Sequence, residues 1–199
     1  MANKVESVIS GLYANRGKGQ AAENLPCRCD LCFSAPQHFV RKGRDLHVIR
    51  SIEDAKSLEG QEIGVSDWIT IGQERIDRFA DATDDYQWIH VDRERAAKEL
   101  PNGKTIAHGY LTLSLIPALS ANFVRFENLA RALNFGCNKV RFYTMVSDGS
   151  RVRGRATVLQ ARKRGGALHL TSEVQIEVEG ERKPACVAEI ISMYFFDEA

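Results

Sequence analysis

One stretch constrains this chain more than any other. Phe79 to Pro117, FADATDDYQWIHVDRERAAKELPNGKTIAHGYLTLSLIP, runs a polar turn, an acidic helix start and a Gly-led apolar helix together without a break. Asp85 and His90 stand five residues apart, with Tyr86, Gln87, Trp88 and Ile89 between them. So bulky and apolar a run is unlike a solvated loop. A loop that buries a Trp and an Ile is pinned, and its end groups, a carboxylate and an imidazole, are then held at a fixed separation. Two titratable groups of different intrinsic pKa within reach of a common point are what acid/base work on a small molecule such as water requires. The spacing alone also admits a plainer reading, in which Asp85 caps the next turn and His90 is a core imidazole satisfied by a backbone carbonyl.

The flanking elements follow from periodicity. Asp67 to Ile71 alternates as a strand, and Gln73 to Ala82 carries Ile76, Phe79 and Ala80 at helical spacing, delivering the chain to Asp85. Asp92 is placed as the N-cap of a helix over Arg93 to Leu100, which Pro101-Asn102-Gly103 ends. Thr105 to Leu119 has the length and the Ala and Leu content of a buried helix. Beyond Phe126, strand-like runs at Lys139–Met145, Arg151–Arg162, Ala167–Glu179 and Lys183–Phe196 are separated by SDGS, KRGG and EGER, which predicts an antiparallel sheet. Val152, Gly154, Ala156 and Val158 share one face of their strand, and Arg151, Arg153 and Arg155 share the other.

Upstream, Val5, Val8, Ile9 and Leu12 suggest a short helix, followed by the polar connector RGKGQAAEN. Cys27, Cys29 and Cys32, with His38 and His47, offer thiolates and imidazoles of the kind zinc accepts. The C-x-C-x2-C spacing is cramped and has no second C-x2-C pair, so no metal site is expected. Asp45 to Ile52 reads as a strand that leads into a helix start at Ser51-Ile52-Glu53-Asp54.

At 199 residues, one domain with an appendage is the natural organisation. Hydrophobic content of 44% and charged content of 27% fit neither a disordered chain nor a membrane one. A net charge of +1 supplies no field that would favour nucleic acid, so a small-molecule partner is expected. Five cysteines, three of them within six residues, do not form a secreted disulfide framework, and reduced thiols are expected. With no signal-peptide pattern and no eighteen-residue apolar run, a cytoplasmic location without membrane contact is expected.

Taken together, D-x4-H-x-D over Asp85, His90 and Asp92, and G-x-T-I-A-H-G-Y-L-T-L-S-L over Gly103 to Leu115, resemble the linked motifs of R-specific enoyl-CoA hydratases of the MaoC type. The likeness is greatest to the subgroup that includes nodulation protein N, and it runs from about Ser57 to the C-terminus. It implies an α+β hotdog fold, an antiparallel sheet wrapped around a long central helix. A single domain at 57–199 would follow a partly irregular, Cys-rich extension at 1–56.

The implied activity is the reversible addition of water to a trans-2-enoyl thioester, as in fatty acid metabolism. Asp85 and His90 would be catalytic, and Gly109, Ser114, Gln87, Trp88 and His108 would bind substrate or stabilise the oxyanion. Unpaired amides at a helix start led by Gly109 can receive a thioester oxygen as charge develops on it, although such a glycine also simply permits close packing. A helix serine like Ser114 more often satisfies its own backbone.

No metal or redox cofactor is expected, because the thioester itself makes the β carbon electrophilic. The expected partner is an acyl-CoA or acyl-carrier thioester. The resemblance also implies edge-to-edge pairing into a homodimer or larger assembly. The arginine face of the sheet is expected to be solvated or ion-paired, with neutralisation of coenzyme A phosphates as the alternative. This chain has Gln87-Trp88 where the family commonly has Asn-Pro, which leaves acyl length and substrate class open. Two other functions also stay open: an acyl-CoA thioesterase of the same fold, with Asp85 activating a hydrolytic water, and a non-catalytic acyl-thioester-binding protein.

Overall fold

A computed structural model of the chain describes residues 46–197. The Cys27–Cys32 cluster, His38 and the expected helix over Val5 to Leu12 lie outside the described residues. His47 opens the first strand, β1 (His47–Ile49), and Ser51 caps α1 (Ile52–Ser57) by accepting the Asp54 amide at 3.1 Å. Next come β2 (Glu62–Val65), β3 (Ile69–Ile71), α2 (Gln73–Thr83), α3 (Trp88–Val91), α4 (Arg93–Glu99), α5 (Gly109–Ser114) and α6 (Ile116–Ser120). The chain then turns to strands: β4 (Val124–Phe126), β5 (Leu129–Phe142), β6 (Ser150–Arg164), β7 (Ala167–Val178) and β8 (Cys186–Phe196). Ile49, Ile52 and Ala55 are buried in the same core as the later strands, so the packed unit draws on residues upstream of 57. Among the described residues, no helix is long and apolar enough to cross a membrane.

The main sheet runs β2-β6-β7-β8-β5, and the pairs are antiparallel throughout. β2 and β3 lie end to end along one edge of β6. Ser66 bridges the gap between them: its amide donates to the Gly154 carbonyl at 2.8 Å and its hydroxyl accepts the Gly154 amide at 2.9 Å. β1 and β4 form a separate parallel pair.

On β6 the expected alternation is present, with Val152, Gly154, Ala156 and Val158 turned into the core. A register shift between Val158 and Gln160 then leaves Leu159 exposed and moves the inward set to Ala161. The outward arginines are ion-paired: Arg151 with Glu179 at 2.7 Å, Arg153 with Glu177 at 2.6 Å, and Arg155 with both Glu177 at 2.8 Å and Glu62 at 2.7 Å.

The central helix is shorter than the apolar run that encodes it. Thr105 to His108 are drawn out of the helix by tertiary contacts, since the Ala107 amide donates to Val146 at 2.7 Å and Ile106 bridges Ser147. The helix begins at Gly109 and divides at Leu115, because Pro117 has no N–H for the carbonyl of Leu113. Its buried residues Leu111, Ile116 and Leu119 belong to one core with the inner face of the sheet. Gly154 makes this approach possible: a Cβ there would stand 3.1 Å from the Cβ of Leu119.

Candidate active site

α2 ends on Asp84 in the left-handed conformation (φ 56°, ψ 23°), which a short Asp side chain tolerates, and the chain turns there to present Asp85. Gln87 adopts an extended conformation and starts α3, its carbonyl accepting the His90 amide at 2.9 Å. One helical turn therefore brings His90 inward while Asp85 stays exposed.

What pins this turn differs from the sequence expectation. Trp88 and Ile89 are only half-buried, and the Trp88 ring lies under the Arg95 guanidinium, 4.0 Å from ring centroid to cation. Polar contacts hold the turn instead: the Ile89 carbonyl accepts the Ile106 amide at 3.0 Å, and the His90 carbonyl accepts the Gln73 side-chain amide at 2.7 Å.

His90 and His108 are both buried, at 7% and 3% exposure. Nδ1 of His90 donates to the Ile106 carbonyl at 2.6 Å, and Nε2 of His108 donates to the Asp85 carbonyl at 2.9 Å. A carbonyl can only accept, so each contact fixes a tautomer. His90 in its neutral form keeps a bare Nε2, and His108 keeps a bare Nδ1, which is buried without a partner. The two rings stack with centroids 3.7 Å apart and planes 26° from parallel, and Phe79 packs on His108 at 5.0 Å.

Burial holds the His90 imidazole below the ordinary histidine pKa. The Ile106 carbonyl works against that shift, the His108 ring adds to it and the Asp85 charge opposes it. The favoured form is a neutral imidazole, which can accept a proton.

Asp85, His90 and His108 each offer one ligand atom, all within 4.8 Å of one another. Two histidines and a carboxylate are a donor set that zinc accepts. An ion, however, must lie in the plane of each ring it binds. Two rings stacked 3.7 Å apart with planes 26° from parallel share no plane, which disfavours one ion bound by both.

The other expected site residues are placed as follows. Gly109 is the first residue of α5, directly after His108, and a Cβ on it would stand 3.2 Å from the Phe142 ring, so it also allows close packing. The Ser114 hydroxyl donates to the Leu111 carbonyl of its own helix at 2.8 Å. Gln87 is exposed and contributes through its backbone.

Two buried polar residues were not singled out from the sequence: Gln73, whose side chain reaches His90, and Thr105, whose hydroxyl donates to Gln73. The available signal was a Gln at a helix start with Asp77 one turn on, a pairing that helices favour but that says nothing of a partner seventeen residues away.

Residues 54–180 match the family model described as MaoC like domain. The chain is 46% identical over 150 residues to 3-hydroxyacyl-thioester dehydratase Z of Mycobacterium tuberculosis, covering 75% of this chain and 99% of that protein. It is 47% identical over 149 residues to Nodulation protein N of Rhizobium leguminosarum bv. viciae, covering 74% and 92%. Among solved structures it is similar in fold to R-Hydratase PhaJ1 from Pseudomonas aeruginosa, with a TM-score of 0.54, 22% identity, and coverage of 70% and 83%.

Proposed function

The chain belongs to the MaoC-like domain family, and on that premise we propose that it is an R-specific enoyl-thioester hydratase, acting in reverse as a 3-hydroxyacyl-thioester dehydratase. One observation carries the chemistry: a buried His90 whose Nδ1 is committed to the Ile106 carbonyl and which offers a ligand atom within 4.8 Å of one on Asp85. A relative of nearly the same domain length, named for dehydration of 3-hydroxyacyl thioesters, supports the choice of reaction.

In the hydration direction a water lies between Asp85 and His90. Its oxygen bonds to the β carbon of the enoyl thioester while one of its protons passes to the bare Nε2 of His90. The pair then returns that proton to the α carbon, so it ends with as many protons as it began with. The two groups share this task. Gly109 offers an amide with no intrahelical acceptor to the thioester oxygen as charge gathers on it. No metal or redox cofactor is called for, because the thioester activates its own β carbon.

A thioesterase would require only an activated water near Asp85 and would leave the oriented His90 without a role. The proposed substrate is an acyl-CoA or acyl-carrier thioester, a class of substrate that supports a cytoplasmic location. β5, which ends the sheet and exposes Leu133, Phe135 and Phe142, is the edge through which we expect two copies to pair. The test is crotonyl-CoA: hydration removes the absorbance of the conjugated thioester and releases no free thiol.

A further inference from the structure

The reaction just described gives no role to Gln73, a side chain 4% exposed that lies at the start of α2. Its Nε2 donates to the His90 carbonyl at 2.7 Å and to Oδ1 of Asp77 at 2.7 Å, and its Oε1 accepts the hydroxyl of Thr105, itself 2% exposed. Both amide hydrogens and the amide oxygen are therefore used, which is what burying such a group requires.

The partners lie on separate segments. His90 is on α3, whereas Thr105 precedes Ile106, whose carbonyl holds the His90 ring. Thr105 is anchored in turn, its carbonyl accepting the Asp148 amide at 2.8 Å. One side chain thus ties the backbone of His90 to the segment that carries the acceptor for its ring.

We propose that Gln73, together with the Thr105 hydroxyl, is a positioning residue that fixes His90 in the Nδ1–H tautomer with Nε2 bare. The kinetic consequence rests on the hydratase reading above; the tautomer does not. A neutral histidine side chain in water prefers the opposite tautomer, with the proton on Nε2. In that form His90 would present an N–H to the water and could not take its proton. The Ile106 carbonyl reverses the preference only if it stays within hydrogen-bond reach of Nδ1, and the Gln73 bridge holds those two segments in register.

The test uses three single variants of the full-length protein and the double variant Gln73→Met/Thr105→Val. Gln73→Met removes every hydrogen bond of the bridge at similar length, Thr105→Val removes only the hydroxyl at nearly constant shape, and Thr105→Ser keeps it. Two readouts are needed: kcat and KM with crotonyl-CoA, and the imidazole nitrogen NMR shifts of His90, which report the protonated nitrogen without requiring activity. In Gln73→Met and Thr105→Val we expect kcat to fall about tenfold, with KM held within about twofold. The His90 shifts should move toward a mixture of tautomers, the double variant should be no worse than Gln73→Met alone, and Thr105→Ser should match the wild type.

A folded Gln73→Met protein that keeps the Nδ1–H form and its turnover overturns the proposal. So does a loss of kcat in which the tautomer is unchanged, since that is general loosening. Should Gln73→Met fail to fold, Thr105→Val decides by the same two readouts. A wild type without hydratase activity would reject the reaction and leave the tautomer comparison decisive for Gln73.

Discussion

His90 and His108 exchange hydrogen bonds between their two segments: His90 donates to the carbonyl of Ile106, two residues before His108, and His108 donates to the carbonyl of Asp85, five residues before His90. The stacked rings, 3.7 Å apart, form the middle of this exchange. Each histidine thereby fixes the segment that carries the other. The backbone of Asp85 is held by His108, although the sequence places them 23 residues apart.

Asp85→Asn keeps the shape of the side chain and removes its capacity to take or give a proton. Turnover should fall about 100-fold or more, with the melting temperature nearly unchanged because the side chain is exposed. Near-normal hydration by the folded variant would remove Asp85 from the mechanism.

Replacing His90 tests the plainer reading of a core histidine. His90→Ala should lose turnover to a similar degree while still binding thioester. Unfolding of His90→Ala with no separate kinetic loss would make the histidine a structural group and nothing more.

The same residue makes stability depend on pH. Burial holds the folded pKa of His90 below 6.5, and unfolding restores the ordinary value. Between those values the unfolded chain binds more protons, so stability falls as pH drops through that window and His90 contributes no pH dependence above it. Melting curves from about pH 7.5 to about pH 5 should therefore show a loss in the wild type that is smaller in His90→Gln. Equal pH dependence in the two proteins would contradict a buried neutral imidazole.

Much of this arrangement was legible in the sequence where side chains alternate between core and solvent. β6 and β7 bury every second residue over long stretches, and their ends were marked by SDGS, KRGG and EGER. β5 begins at Leu129, ten residues before the run that signalled it, because nearly all of its residues are exposed on both faces and leave no two-residue period. β2 went unread for a similar reason, since Ile63 is its one buried residue. The Asp85 and His90 pair was visible as spacing. The groups that hold it were not: Gln73 reaches His90 across 17 residues and Thr105 reaches Gln73 across 32, and no local pattern records such contacts. The expectation that Trp88 pins the loop failed because Arg95, one turn along α4, offers its ring a cation at the surface.

Trp88 leans on Arg95 of its own chain, an exposed contact worth about 0.5–1 kcal/mol. Trp88→Ala should therefore open space beside the site, raising rates on longer enoyl chains relative to crotonyl-CoA and leaving assembly intact. A uniform fall in all rates with dissociation of the subunits would instead make Trp88 an interface residue.

Assembly through β5 predicts a dimer or larger species in sedimentation at low micromolar concentration, since this strand ends the sheet along fourteen residues. A fully active monomer would sink the edge-paired arrangement.

The most direct measurement follows crotonyl-CoA with the purified wild type, recording the conjugated-thioester absorbance and free thiol in the same reaction. The absorbance should fall to an equilibrium value, with no thiol released and a 3-hydroxybutyryl thioester recovered in the R configuration. Thiol release matching the absorbance loss, or no change in either signal, would contradict the assignment of this site to the hydration of enoyl thioesters.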